Sequence, residues 1–178
     1  VRFDENTVRT MGRTATGVRG MRLDDGDDAV VGMIVVNDPV NETVMVVSEN
    51  GYGKRSLVED YRKTNRGGKG VQTLSITDKT GRLVAIENVT DNNDLMIINK
   101  SGVAIRLSME QVRVMGRATQ GVKMIDLNKR SDEIASICNV VAEEDEPELL
   151  DEADLDDPSE FVPQEEDLQG SDPDDELE

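Results

Sequence analysis

Apolar residues along this chain come in short runs rich in Val, Ile and Met, bounded by Gly, Asn and Asp. The runs fall at 31–36, 43–48, 54–58, 71–76, 82–87, 94–99, 103–107, 122–127 and 134–140. Runs of this length, closed by turn residues, predict β-strands. No segment before residue 143 spaces its apolar residues at a helical period, so the expected class is all-β. SENGYGK and NKSGVA each set a glycine, Gly51 and Gly102, between two strand-like runs. That pattern predicts two tight hairpins.

A longer period overlies these runs. RFDENTVRTMGRTATGV from Arg2, RSLVEDYRKTNRGGKGV from Arg55 and RLSMEQVRVMGRATQGV from Arg106 are three copies of one stretch, offset by 53 and then 51 residues. The offsets superimpose Arg2/Arg55/Arg106, Arg9/Arg62/Arg113, Arg13/Arg66/Arg117 and Gly17/Gly70/Gly121. Gly51 and Gly102 differ by the same 51 residues, so the hairpin belongs to the repeat. About four strands per unit of about fifty residues is the anatomy of a propeller blade. Residues 26–76 and 79–127 give two nearly full units, 1–25 the end of an earlier one and 128–142 the first strand of a later one. The expectation is a propeller-like array of about three four-stranded blades over 1–142, with strand exchange closing the open units.

Charge divides the chain differently. The formal net charge is -18, yet residues 143–178 hold 19 of the 38 acids and no Lys or Arg, leaving residues 1–142 close to neutral. That acidic stretch, with its prolines and few apolar residues, is expected to be a disordered tail. One cysteine, Cys138, excludes a disulfide framework and suits a reducing compartment. Its place in IASICNVV predicts a buried structural thiol. Histidine is absent, which removes the commonest general base and leaves no nitrogen–sulfur metal cluster. No catalytic residue, metal ligand or cofactor is therefore expected in this piece. The longest apolar run, 29–36, is too short to cross a bilayer, and the expected location is cytoplasmic. A start at Val1 in mid-pattern suggests part of a longer polypeptide.

The recurring arginines carry the functional argument. A guanidinium offers a planar fork of donors that suits phosphate oxygens and stays charged at any working pH. Repeated on adjacent blades, Arg2, Arg9, Arg13, Arg55, Arg62, Arg66, Arg106, Arg113 and Arg117, with Lys123, would hold a duplex bent along the rim. Such bending costs of order 1–6 kcal/mol, which several phosphate contacts with counterion release can offset. The competing reading is a repeated ion pair inside each blade. Acids do not recur in register as the bases do, which favours phosphate. Arg66-Gly67-Gly68-Lys69-Gly70 adds a loop whose backbone can approach a phosphate closely. It is not a Walker loop, because Gly70 follows Lys69 where Ser or Thr is needed. Aromatic residues are scarce, which argues against stacking on single strands.

YRKTNRGGKGV resembles the QRRGGKG box of the C-terminal domain of DNA gyrase A, with residues 64–70 matching at five of seven positions. V-R-x-M-G-R-x-x-x-G-V in the first and third copies is similar to that domain's other blades, and an acidic tail is usual there. The resemblance covers 1–142. It implies a six-bladed β-pinwheel, of which this is the last three or so blades, wrapping duplex DNA for ATP-driven negative supercoiling. It also implies partners: the rest of gyrase A as a homodimer, gyrase B in a heterotetramer, with ATP and Mg bound elsewhere in that enzyme and no membrane. The full box belongs to the first blade of the family, and the catalytic tyrosine to another domain, so neither is assigned here. The alternatives are the matching domain of topoisomerase IV and a propeller-like protein-interaction scaffold. Tethered beside an arginine row, the tail would compete with DNA and so be autoinhibitory.

Overall fold

The computed structural model describes residues 1–24, 26–127 and 132–142. Its strands are β1 (Thr43–Ser48), β2 (Tyr52–Leu57), β3 (Leu83–Val89), β4 (Asn93–Asn99), β5 (Ala104–Ser108), β6 (Val122–Lys123) and β7 (Ile134–Val141). Between them lie three short 3-10 turns, Glu5–Thr7, Val58–Asp60 and Met109–Gln111, and no α-helix among the described residues. The turns are themselves in repeat register, 53 and 51 residues apart. The chain is all-β, as expected. Residues 1–142 make one compact unit. The expected disordered tail, 143–178, lies outside the described residues.

Both predicted hairpins are present. β1 and β2 pair antiparallel from Thr43↔Leu57 to Val47↔Gly53, and β4 and β5 from Asp94↔Ser108 to Ile98↔Ala104. Gly51 and Gly102 turn them with φ of +79° and +85°, a region closed to most side chains. Their amides donate to Ser48 O and Asn99 O, each at 3.1 Å.

The blades do not coincide with contiguous stretches of sequence. One sheet runs β3-β1-β2-β6 and the other β5-β4-β7. The hairpin of one repeat takes its outer strands from the next: β3 flanks β1, and β6 flanks β2 through Gly53↔Val122. β7 flanks β4 in the same way, in register from Asn93↔Val141 to Ile98↔Ser136. The units expected at 26–76 and 79–127 are therefore interleaved, and the anticipated strand exchange is the rule of assembly.

That rule explains two expected strands that are not formed. Residues 31–36 and 71–76 are the repeat equivalents of β3 or β7 and of β6. By the repeat offset, the chain holds only residues 1–4 of the hairpin they would flank, the equivalents of Lys54–Leu57. The first segment instead lies against β3, where Asn88 Nδ2 donates to Val35 O at 3.1 Å. Of the three or so blades expected, two stand as sheets, one of four strands and one of three. Residues 1–37 carry the Glu5–Thr7 turn and an isolated bridge, and no strand, among the described residues.

β1 is central and buried along its whole length, which is why TVMVVS reads as a continuous apolar run rather than an alternation. Met45 and Val47 enter a cluster with Leu95, Ile97, Met109, Ile134 and Ile137 that joins the two sheets. Val44 and Val46 enter a second, with Val58 and Leu74. Cys138 is exposed, against expectation. It neighbours the buried Ile137 on an edge strand, and successive strand residues face opposite ways.

Candidate nucleic-acid interface

The three arginine rows meet very different surroundings. In the first, Arg55 is only 3% exposed. Its Nη1 donates to Met109 O at 2.6 Å and Val112 O at 3.4 Å, its Nε to Thr43 Oγ1 at 3.0 Å, and its Nη2 to Asp91 at 2.8 Å. Arg2 repeats the motif one unit earlier, with Nη1 donating to Val58 O at 2.9 Å and Tyr61 O at 3.2 Å. These acceptors are the ends of the 3-10 turns of the following repeat. Parallel bridges Arg2↔Lys63 and Arg55↔Val114 continue the join. Arg106 pairs through Nε with Asp94 at 2.5 Å, and Asp94 stands at the repeat position of Thr43. The expectation that this row binds phosphate is corrected for Arg55, whose donors are consumed inside the fold. Arg2 serves the same clamp, and Arg106 faces a carboxylate.

The row Arg13, Arg66 and Arg117 differs. Arg66 Nη1 donates to Arg19 O at 3.3 Å and its Nε to Thr7 O at 3.2 Å. Arg117 Nη1 donates to Gln72 O at 2.8 Å. Arg19 and Gln72 are repeat equivalents, so both arginines lean on the loop of the preceding unit in the same way. Their partners are neutral carbonyls, and these bonds are exposed, so the positive charge remains uncompensated and accessible. Arg9, Arg13, Arg62 and Arg113 are exposed. Among the described residues no carboxylate forms a salt bridge with any of them.

The lysines are paired. Lys69 contacts Asp24 at 2.7 Å, and Lys123 contacts Asp126 at 2.7 Å. The Asp24 carboxylate raises the Lys69 pKa and is itself held low by Lys69. Exposed pairs of this kind are weak and screened by solvent, so a phosphate can displace the carboxylate. Gly67 has φ of +80° and donates its amide to Gly20 O at 2.7 Å, while Arg22 N donates to Gly68 O at 2.9 Å. The 66–70 loop thus spends part of its backbone on the preceding loop. Gly70 and Gly121 have φ of +83° and +79°. A Cβ on Gly121 would lie 2.5 Å from Gly53 O, so that glycine is required by close approach.

Three neighbours escaped the sequence reading. Arg19 and Arg22 lie against the middle loop; Arg19 is the repeat equivalent of Lys123, and that register could have found it. Lys54, buried beneath residues 116–119, carried no signal in the repeat. The described residues contain no cluster able to hold a metal ion.

Known proteins resemble this chain over most of the described residues. A family model described as DNA gyrase C-terminal domain, beta-propeller, matches residues 1–37, 42–90 and 93–138. This chain belongs to that family. The DNA gyrase A protein of Staphylococcus aureus (strain MRSA252) is 47% identical over 152 residues, covering 85% of this chain and 17% of that protein. The DNA gyrase A protein of Chlamydia pneumoniae is 44% identical over 150 residues, covering 84% and 18%. The chain thus spans less than a fifth of these relatives. A solved structure of a DNA gyrase A C-terminal domain superposes with a TM-score of 0.67 at 27% identity, covering 78% of this chain and 46% of that one. The C-terminal domain of a DNA topoisomerase IV superposes at 0.71 with 24% identity, covering 80% and 43%, a likeness of fold. No helix among the described residues is long and apolar enough to cross a membrane.

Proposed function

We propose that this gyrase-family domain binds and wraps duplex DNA, largely without sequence preference, and catalyses nothing itself. The observation that carries the reading is the outer arginine row. Arg66 and Arg117 occupy equivalent places in successive repeats, bond neutral carbonyls and leave their charge open to solvent. Arg9, Arg62 and Arg113, together with Arg13, extend the same positive set. Phosphate contacts of this sort position a duplex without reading bases, and their strength falls steeply with salt. In the cytoplasmic enzyme of which such a domain is part, the wrap would present a neighbouring DNA segment for ATP-driven strand passage and negative supercoiling. Its partners there would be the rest of gyrase A, as a dimer, and gyrase B. ATP and Mg would be bound elsewhere in that assembly.

Replacing Arg13, Arg66 and Arg117 together by Glu is expected to weaken duplex binding by two orders of magnitude or more. The slope of log K against log salt should flatten by about 3, near 0.9 for each phosphate no longer neutralised. Unchanged binding at low salt would overturn the reading and leave a protein-interaction scaffold. The topoisomerase IV likeness is one of fold, and supercoiling by the complete enzyme separates the two. For the tail, tethering 19 acids to an arginine-bearing body predicts competition with DNA. Removing residues 143–178 should tighten binding; equal affinities with and without them would end the autoinhibition idea.

A further inference from the structure

Beneath the third loop lies a cation that the duplex reading does not use. Lys54 has no exposed surface and is the largest fully buried side chain in the described chain. It sits on β2 opposite Val46. Its Nζ donates to Gly116 O at 2.9 Å, to Arg117 O, and to Thr119 Oγ1 at 3.4 Å. All three acceptors belong to residues 116–119, the loop that carries Arg117. The charged groups that act on it are Arg117, above, and Asp60, at the end of the Val58–Asp60 turn. Burial, reinforced by the Arg117 guanidinium, brings its pKa down to about 8. An ammonium kept in such a place, with carbonyls and no carboxylate bonded to it, is costly unless it serves the groups it touches.

The equivalent loop one repeat earlier is held in part by other means. Residues 65–68 read Asn-Arg-Gly-Gly; the bond from Arg22 to Gly68 O is repeated in the third loop by Ser75 N to Thr119 O at 3.1 Å, but the bond from Gly67 N to Gly20 O at 2.7 Å is particular to this one. By the repeat offset, the position of Lys54 is there filled by Val1. Residues 116–119 read Gly-Arg-Ala-Thr, with no glycine pair, and their internal main-chain bond, Thr119 N to Gly116 O, is long at 3.4 Å. Thr119 Oγ1 donates to Gly116 O at 3.0 Å, and Lys54 is the group that gathers Gly116 O and Arg117 O together.

We propose that Lys54 is a positioning residue for Arg117: its buried ammonium gathers the carbonyls of the 116–119 loop from below and so holds the guanidinium outward toward a duplex phosphate. The proposal rests on the duplex-binding reading of Arg117 given above. Because a neutral amine binds those carbonyls less firmly, the hold weakens as pH rises past about 8.

The test uses the full chain, a random duplex of about 30 base pairs, and three variants: Lys54→Met, Arg117→Ala and the double substitution. Lys54→Met keeps the stem packed and removes the ammonium. It is expected to weaken binding about three- to tenfold and to reduce the salt slope by about 1. The same substitution in the Arg117→Ala background should change nothing further, since the effect passes through that side chain. Between pH 7 and 9 the native chain should lose affinity while Lys54→Met stays flat. Native affinity in Lys54→Met, or an equal loss in both backgrounds, would overturn the proposal. Should that variant not fold, amide exchange in the native chain decides: residues 116–119 should lose protection at pH 9 relative to 65–68, and equal behaviour of the two loops refutes it. A native chain that binds no duplex sinks the duplex reading instead, and the exchange comparison still settles whether Lys54 holds the loop.

Discussion

Arg55 and Arg117 are the same residue type, recur with the same period, and do opposite things. Arg55 is wrapped by Thr43, Met109, Val112 and Asp91 and joins one repeat to the next. Arg117 touches one exposed carbonyl and keeps most of its donors for solvent or a ligand. Periodicity alone cannot tell these apart, because an inter-repeat clamp recurs as faithfully as a ligand row. The absence of recurring acids pointed to phosphate for every row. For Arg2 and Arg55, however, the recurring acceptors are main-chain carbonyls of the 3-10 turns, which leave no trace in side-chain identity.

The largest expected effect tests the inward member. Arg55→Met removes a buried cation and takes a donor each from Thr43 Oγ1 and the Met109 and Val112 carbonyls, so unfolding of the full chain by urea should show a loss of about 3–5 kcal/mol. A loss under about 1 kcal/mol would mean that Arg55 is no clamp. Next comes Lys54, the other buried cation. With its folded pKa near 8 and an ordinary value near 10.5, the unfolded chain holds the extra proton between those limits. Stability should therefore rise with pH across that window, by at most about 3 kcal/mol, and the rise should be absent in Lys54→Met. A native profile identical to that of Lys54→Met between pH 8 and 10.5 would contradict the buried charge. The charge that organises the loop is thus a cost to the fold, as befits a group retained for a surface above it.

Much of this fold was legible. Turn glycines at 51 and 102 between β-rich runs specified both hairpins, and the 51-residue offset specified that they were equivalent. What could not be read was which strands share a sheet. Residues 71–76 and 122–127 look alike in sequence, but only the second segment has the β2 edge of an earlier repeat to pair with. Pairing is a property of neighbours, not of the run itself. The candidate site was legible to the same depth. Arg13, Arg66 and Arg117 were found by register, and so was Arg55, which a buried environment then claimed. Lys54 was invisible because its importance comes from a loop 62 residues away.

Outward arginines should be cheap to remove. Arg66→Ala or Arg117→Ala loses exposed bonds to carbonyls that water can replace, so each should cost at most about 1 kcal/mol of stability while weakening duplex binding. Loss of several kcal/mol from either, in urea unfolding, would move that residue into the class of Arg55.

The smallest effect is the sharpest for the comparison, because it asks what holds Arg55 in place. Asp91, its carboxylate partner, is 76% exposed, whereas the arginine side chain is 3% exposed. Water reaches the carboxylate freely, so the pair is screened on one side and its share of the binding is small. Asp91→Asn retains a hydrogen-bond acceptor and should cost less than about 1 kcal/mol by urea unfolding. The guanidinium would still be held by Thr43 and by the two carbonyls of the next repeat. If the substitution instead costs as much as Arg55→Met, then the clamp is an ion pair after all. A recurring acid would then be the right signature to seek, and the inference drawn for the outer row from its absence would gain a sound basis.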